Sequence, residues 1–173
     1  HQMTAPCFHV FTTAAVTEVY YDDGTRVRVV CGQFWGRRGP VEGVATDPRY
    51  LDVSVPPSTR RQVPVPRTHH VFAYVFAGSG TFRDASAPRA VLTEDASRPD
   101  AKPAYETTNR SLVLFDAGDE VTVRSGEGGI RFLLISGSPL EEPVAWRGPL
   151  VLNPAAALRR ADREVTAGPF ITA

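Results

Sequence analysis

The residues of this 173-residue chain best suited to chemistry are two adjacent histidines, His69 and His70, since imidazole binds metals and titrates near neutrality. Neighbours on a strand point to opposite faces, so this pair cannot chelate one ion together, and at most one ring enters a core. A ring satisfied by hydrogen bonds, or a plain surface ring, is the simpler expectation. Tyr74 shares a face with His70 at period two. The two are candidates to line a residual polar pocket, with aromatic packing the plainer role for the tyrosine. Cys7 follows a proline and Cys31 lies in an apolar run, and neither belongs to a Cys-x-x-Cys or Cys/His pattern. Two free thiols are expected, with Cys31 packed as a small hydrophobe. The carboxylate pairs Asp22-Asp23 and Glu141-Glu142 sit in turn-like settings where solvation explains them, and there is no Gly-x-Ser-x-Gly elbow, P-loop or dinucleotide fingerprint. Trp146, near Pro143 and Gly148, reads as a buried aromatic closing a sheet edge rather than as an exposed anchor.

These residues must be carried by many short strands. Apolar stretches are brief and rich in Val, Phe, Tyr and Thr, and 14 Gly and 15 Pro are spread throughout. Residues 15–21 and 25–30 flank Asp22-Asp23-Gly24, and Arg26 and Arg28 alternate with Val27 and Val29, which predicts a hairpin with one buried face. Further strands are predicted over 50–55, 71–76, 81–83, 90–93, 111–115, 120–124, 130–136, 143–146 and 150–152, with turns at 78–80 and 126–129. The stretch 95–108 has no apolar period and reads as an exposed inserted loop. One helix is predicted, capped by Asn153, begun at Pro154, continued over 155–167 and stopped by Gly168-Pro169, with an apolar stripe of Leu158, Ala161 and Val165. Short strands followed by one terminal helix predict an all-β jelly-roll barrel or sandwich with the helix packed outside.

Composition narrows the partners. The chain has 19 basic and 19 acidic residues, with 42% hydrophobic and 22% charged, so it reads as one soluble globular domain without a footprint for nucleic acid or an anionic membrane. No apolar run approaches the roughly 20 residues of a membrane-spanning helix, and the first residues show no signal-peptide pattern, so a cytoplasmic location is expected.

The segment Gly137-Ser-Pro-Leu-Glu-Glu-Pro-Val-Ala-Trp-Arg-Gly-Pro-Leu-Val-Leu-Asn153, followed by Gly168-Pro-Phe170, resembles the C-terminal signature of the pirin family. Residues 26–32, Gly36-Arg-Arg-Gly-Pro-Val41, Tyr50-Leu-Asp-Val53 and 70–78 fall in the order of their counterparts in the second pirin domain. The opening His1-Gln-Met-Thr-Ala-Pro-Cys-Phe-His9 looks like the pirin interdomain linker. Segment 1–14 is therefore expected to be linker-like, 15–152 a cupin-type barrel and 153–173 the helix and tail. The same likeness leads one to expect a chain cut from a longer bicupin, the alternative being a free-standing chain beginning at Met3.

The resemblance implies iron in the family's N-terminal barrel, held by three imidazoles and a carboxylate. Laid without gaps over this chain, the N-domain motifs put the four ligand slots on Pro64, Pro66, Arg131 and Leu133, none of which can ligate. No catalytic, cofactor-binding or metal-binding residue is expected here, and iron or another divalent metal is expected in the N-terminal domain. His70, Tyr74 and Arg131 are the candidate pocket-lining residues. The expected function is that of a non-catalytic C-terminal cupin domain, supporting the iron-binding N-terminal cupin of the same parent or docking a protein partner. One alternative is part of a quercetin 2,3-dioxygenase-type, metal-dependent oxygenase whose active site lies in that N-terminal domain. A metal-free small-molecule-binding barrel is the other.

Overall fold

A computed structural model describes residues 8, 10–83, 106–147, 150–153 and 158–163. After a single 3-10 turn at Thr13–Ala15, strands β1 (Thr17–Tyr20) and β2 (Arg26–Cys31) form the predicted hairpin. Its loop is closed by chemistry the sequence announces. Gly24 takes a φ of +83° and donates to the Tyr21 carbonyl, while the Asp23 carboxylate accepts from the Thr25 amide at 2.9 Å. A second, unpredicted hairpin follows, with β3 (Gln33–Phe34) and β4 (Arg37–Arg38) joined by Trp35 and Gly36, both at positive φ. That is the two-residue turn whose twist matches paired strands.

The main sheet is completed by β5 (Arg49–Val55), β6 (Arg60–Pro64), β7 (His70–Arg83), β8 (Thr107–Thr108), β9 (Ser111–Phe115) and β10 (Glu120–Gly137). Strand order runs β1-β2-β5-β10-β7-β8, with β6 also pairing β10 and β9 also pairing β7. All the strand pairings of this sheet are antiparallel. Period-two patterning turns one residue set inward: Val27 and Val29 on β2, Leu51, Val53 and Val55 on β5, Ala73 and Val75 on β7, and Ile130, Phe132 and Leu134 on β10. Each of these valine, leucine, isoleucine and phenylalanine side chains contributes about 1.5–3 kcal/mol by leaving water. Phe82 packs edge-on against Phe132 with centroids 5.2 Å apart.

The glycine segments predicted as turns at 78–80 and 126–129 lie inside β7 and β10 instead. Ser125 pairs with Gly80 and Ile130 with Gly78, so residues 126–129 stand opposite Ser79 alone and form a large bulge. Residues 56–59, between β5 and β6, cross the same line. There Ser125 Oγ donates to the Pro56 carbonyl and accepts from the Thr59 amide at 2.9 Å. The sheet thus bends without a chain reversal, because glycines permit close backbone passage where a hairpin turn is not required.

Strand β6 escaped prediction because Arg60, Arg61 and Pro64 do not read as strand, yet it pairs only with β10 and its proline occupies an edge, where a missing donor is tolerated. The inserted loop ends earlier than expected, since Thr107–Thr108 pair with Ser79 and Gly80, and the predicted strand 90–93 lies outside the described residues.

Residues 8–139 form one compact unit and 140–173, with 1–7, another. The second unit holds β11 (Ala145–Arg147) and β12 (Leu150–Leu152), which among the described residues pair with each other, and the last strand of the large sheet, β10, ends at Gly137. Residues 158–163 are helical with Leu158 buried, and the remainder of the predicted helix, Val165 included, lies outside the described residues. Among the described residues no helix is long and apolar enough to cross a membrane.

Candidate functional site

In a sheet with one face turned to the core, ligand chemistry inside the fold would have to sit among inward-facing side chains, so strand parity decides the site. On β10 the inward residues are Ile130, Phe132, Leu134 and Ser136, and Arg131 and Leu133 face outward. On β6 and the residues after it, Val63 and Val65 are buried while Pro64 and Pro66 are half-buried. The four slots inferred from sequence thus lie on the less buried face of both strands, one residue away from the inward positions, and in a strand one residue exchanges the faces. The side chains that turn inward there, Val63, Val65, Phe132 and Leu134, are likewise without a metal-donor atom. Among the described residues no three His, Cys, Asp or Glu side chains group so as to hold a metal ion.

Parity also corrects the pocket formed by His70, Tyr74 and Arg131. Because Val71, Ala73 and Val75 turn into the core, His70 and Tyr74 are carried to the outer face, where both are exposed, the tyrosine at 36%. Arg131, also on the outer face, grips Asp52 bidentately, with Nε–Oδ1 2.8 Å and Nη2–Oδ2 2.6 Å, and its guanidinium lies 4.9 Å over the Phe76 ring. Arg28 adds a longer contact to Asp52 at 3.4 Å and lies 3.3 Å from Glu18, so an ion-pair ladder crosses β1, β2, β5 and β10. Burial would raise the Asp52 carboxyl, but the hydrogen bonds and charge of Arg131, with the charges of Arg28 and Arg26, hold it below the usual carboxylate range. Sequence reasoning noted Arg26 and Arg28 only as the exposed half of an alternation. No local signal ties them to Asp52, which is a partner brought by strand pairing.

The histidine that enters is His69. It is buried, with Nδ1 3.2 Å from Ser136 Oγ and Nε2 3.9 Å from the Asp47 carboxylate. Burial, with Arg49 nearby and Asp47 opposing, pushes the imidazole below its usual range, so the ring is neutral at pH 7. Ser136, His69 and Asp47 have the residue types of a nucleophilic triad. The serine is itself buried and the Asp47 contact exceeds hydrogen-bond length, so the group reads as an anchor where β7 begins.

Cys31 is a buried free thiol, pushed up by burial and further by Asp47, with the Gly32 backbone opposing, and Cys7 lies outside the described residues. Trp146, expected to be buried, is 74% exposed on β11. Asp23 is more than a solvated turn residue: its carboxylate accepts from Arg61 Nε at 3.0 Å, and that guanidinium stacks 4.1 Å over Tyr21. Glu142 accepts from the Asn153 amide, while Glu141 is exposed at positive φ.

Residues 50–171 match the family model of the Pirin C-terminal cupin domain. The chain belongs to the pirin family. A pirin-like protein of Caulobacter vibrioides is 29% identical over 171 residues, covering 98% of this chain and 54% of that one. A Pseudomonas aeruginosa protein provisionally named a quercetin 2,3-dioxygenase is 33% identical over 149 residues, covering 84% and 46%. This pirin domain therefore spans about half the length of these curated relatives. Among solved structures, a quercetin 2,3-dioxygenase from Acinetobacter baumannii superposes with a TM-score of 0.69 at 18% identity, over 92% of this chain and 49% of that one, which establishes the cupin jelly-roll fold.

Proposed function

We propose that this pirin cupin domain is non-catalytic, lacks metal ligands, and serves a two-cupin protein by supporting an iron-binding N-terminal cupin and presenting a surface to a protein partner. The observation that supports this reading is the inward face of β10 and of residues 63–65, where valine, leucine, isoleucine and phenylalanine fill positions from which a cupin metal would be held. An imidazole-and-carboxylate donor set does not fit side chains of that kind. Elemental analysis of the purified chain after incubation with iron(II) and desalting tests it. Sub-stoichiometric iron is expected, and one tightly held iron per chain would sink it.

A second reading is favoured by the name of the Pseudomonas relative: the domain belongs to a quercetin 2,3-dioxygenase whose chemistry resides in the other half. Quercetin consumption should then be absent with this chain alone and present with a full-length protein that contains it. Turnover by the isolated domain would refute both readings. Nothing in the residues specifically favours a metal-free binding barrel.

A further inference from the structure

Three arginines converge on the outer face of the bent end of the sheet. Arg60 on β6 and Arg124 on β10 are direct cross-strand partners, and Arg83 on β7 stands opposite Thr122, one diagonal step from Arg124. Cross-strand partners share a face, and the alternating Val121 and Val123 are buried, so all three guanidinium groups project to the same exposed side. Like charges directly opposite one another destabilise a sheet, and folds ordinarily separate them or place an acid between them.

Among the described residues none of the three has an acid as its partner. Arg26, Arg28, Arg38, Arg61, Arg67 and Arg131 each have a carboxylate partner. Glu120, on the same strand as Arg124, accepts from Gln62 Nε2 at 2.6 Å and from Thr122 Oγ1 at 3.4 Å. Asp116 and Asp119 border an adjoining hollow that Arg83 also lines, and Asp119 is already paired with Arg67 at 2.6 Å. The three arginines, with Thr81 and Thr122 between them, line a concavity of about 430 Å³. Uncompensated like charges around a hollow of small-ligand size are two independent features with one electrostatic remedy.

The geometry points to an anion site for a phosphate-type oxyanion, free or as the phosphate group of a small monoester, held by Arg60, Arg83 and Arg124. The planar guanidinium fork matches phosphate oxygens bidentately, and the exposed Thr81 hydroxyl can complete the set. A dianion answers three cations better than a single carboxylate does. The chain's balance of 19 basic and 19 acidic residues gives no extended positive field for a long polyanion. This site is on the outside of the sheet and is independent of whether the core can hold a metal.

Calorimetric titration of the full chain with inorganic phosphate and with glycerol phosphate, at matched ionic strength, tests the assignment. One saturable site is expected, weakened at least tenfold by Arg124→Gln or Arg60→Gln and unchanged by Arg37→Gln on β4. Equal affinity for both probes assigns the free ion, and tighter binding of the ester assigns an organic phosphate. The thermal midpoint gives a second readout should a variant bind too weakly to titrate. Arg124→Gln should melt at or above wild type without phosphate, and phosphate should raise its midpoint less than that of wild type. Identical phosphate responses in wild type, Arg124→Gln and Arg37→Gln would overturn the assignment. So would tighter binding of citrate than of either phosphate, or an affinity for oligonucleotides that grows with their length.

Discussion

Asp52 shows how much a single buried acid can organise. Its two oxygens are claimed by Arg131 and approached by Arg28, so removing it leaves Arg131 without its acceptor and Arg28 with Glu18 alone. Asp52→Ala should cost about 1–3 kcal/mol, discounted from a fully buried pair because Arg131 is partly exposed to solvent. The pH dependence follows in sign. A carboxyl held below its usual range in the folded state contributes stability above the unfolded value near 4, lost as pH falls further. Urea midpoints measured from pH 6 to pH 3 should therefore fall more steeply for wild type than for Asp52→Asn; parallel curves would remove the ladder's role.

His69 gives a separate window. Its ring is held neutral, so the unfolded chain takes up a proton first as pH drops below about 6.5, and wild type loses stability from there downward. Between pH 7 and 5 His69→Gln should show a flatter dependence, and an unchanged slope would show that the ring titrates normally.

At the scale of elements, the bend shared by β7, β10 and the β5–β6 connection is where the long strands change direction, at the register shift between Ser125 and Ile130. Gly78 has a φ of +71°, and a Cβ there would strike the backbone carbonyl of Gly129, itself at φ +76°. Gly78→Ala should destabilise by roughly 2–4 kcal/mol, combining left-handed strain with a backbone displacement. Gly36→Ala is the control, since it also has positive φ but nothing within 4 Å of an added Cβ. If both variants lose the same thermal stability, the close passage is irrelevant and only backbone strain counts. Both bends were visible as glycine clusters, but whether a glycine cluster reverses a chain or bends a continuing strand depends on what lies beside it. Here the partner strands continue across the line, so the strand does too.

For the unit formed by residues 8–139, the packing of Phe132, Leu134, Val53 and Val75 supplies cohesion by apolar burial, and on the proposed metal-free reading no ion adds to it. Prolonged chelator treatment should therefore leave the thermal midpoint within about 2 °C of the untreated chain, whereas Phe132→Ala should cost about 3–5 kcal/mol. A large chelator-induced drop would mean that a metal is structural.

Local patterning was enough for the all-β class, most strand positions, the Asp23-Gly24 turn and the pirin likeness, because each is written in residue types and short spacings. Tertiary structure alone decided which alternate residues turn inward. It put His69 rather than His70 inside, moved Arg131 and Leu133 to the outer face, exposed Trp146, recovered β6 despite its proline, and set Arg60 beside Arg124 from positions 64 residues apart. The physical reason is register. In a strand a shift of one residue exchanges the two faces, and that register is fixed by partners far along the chain.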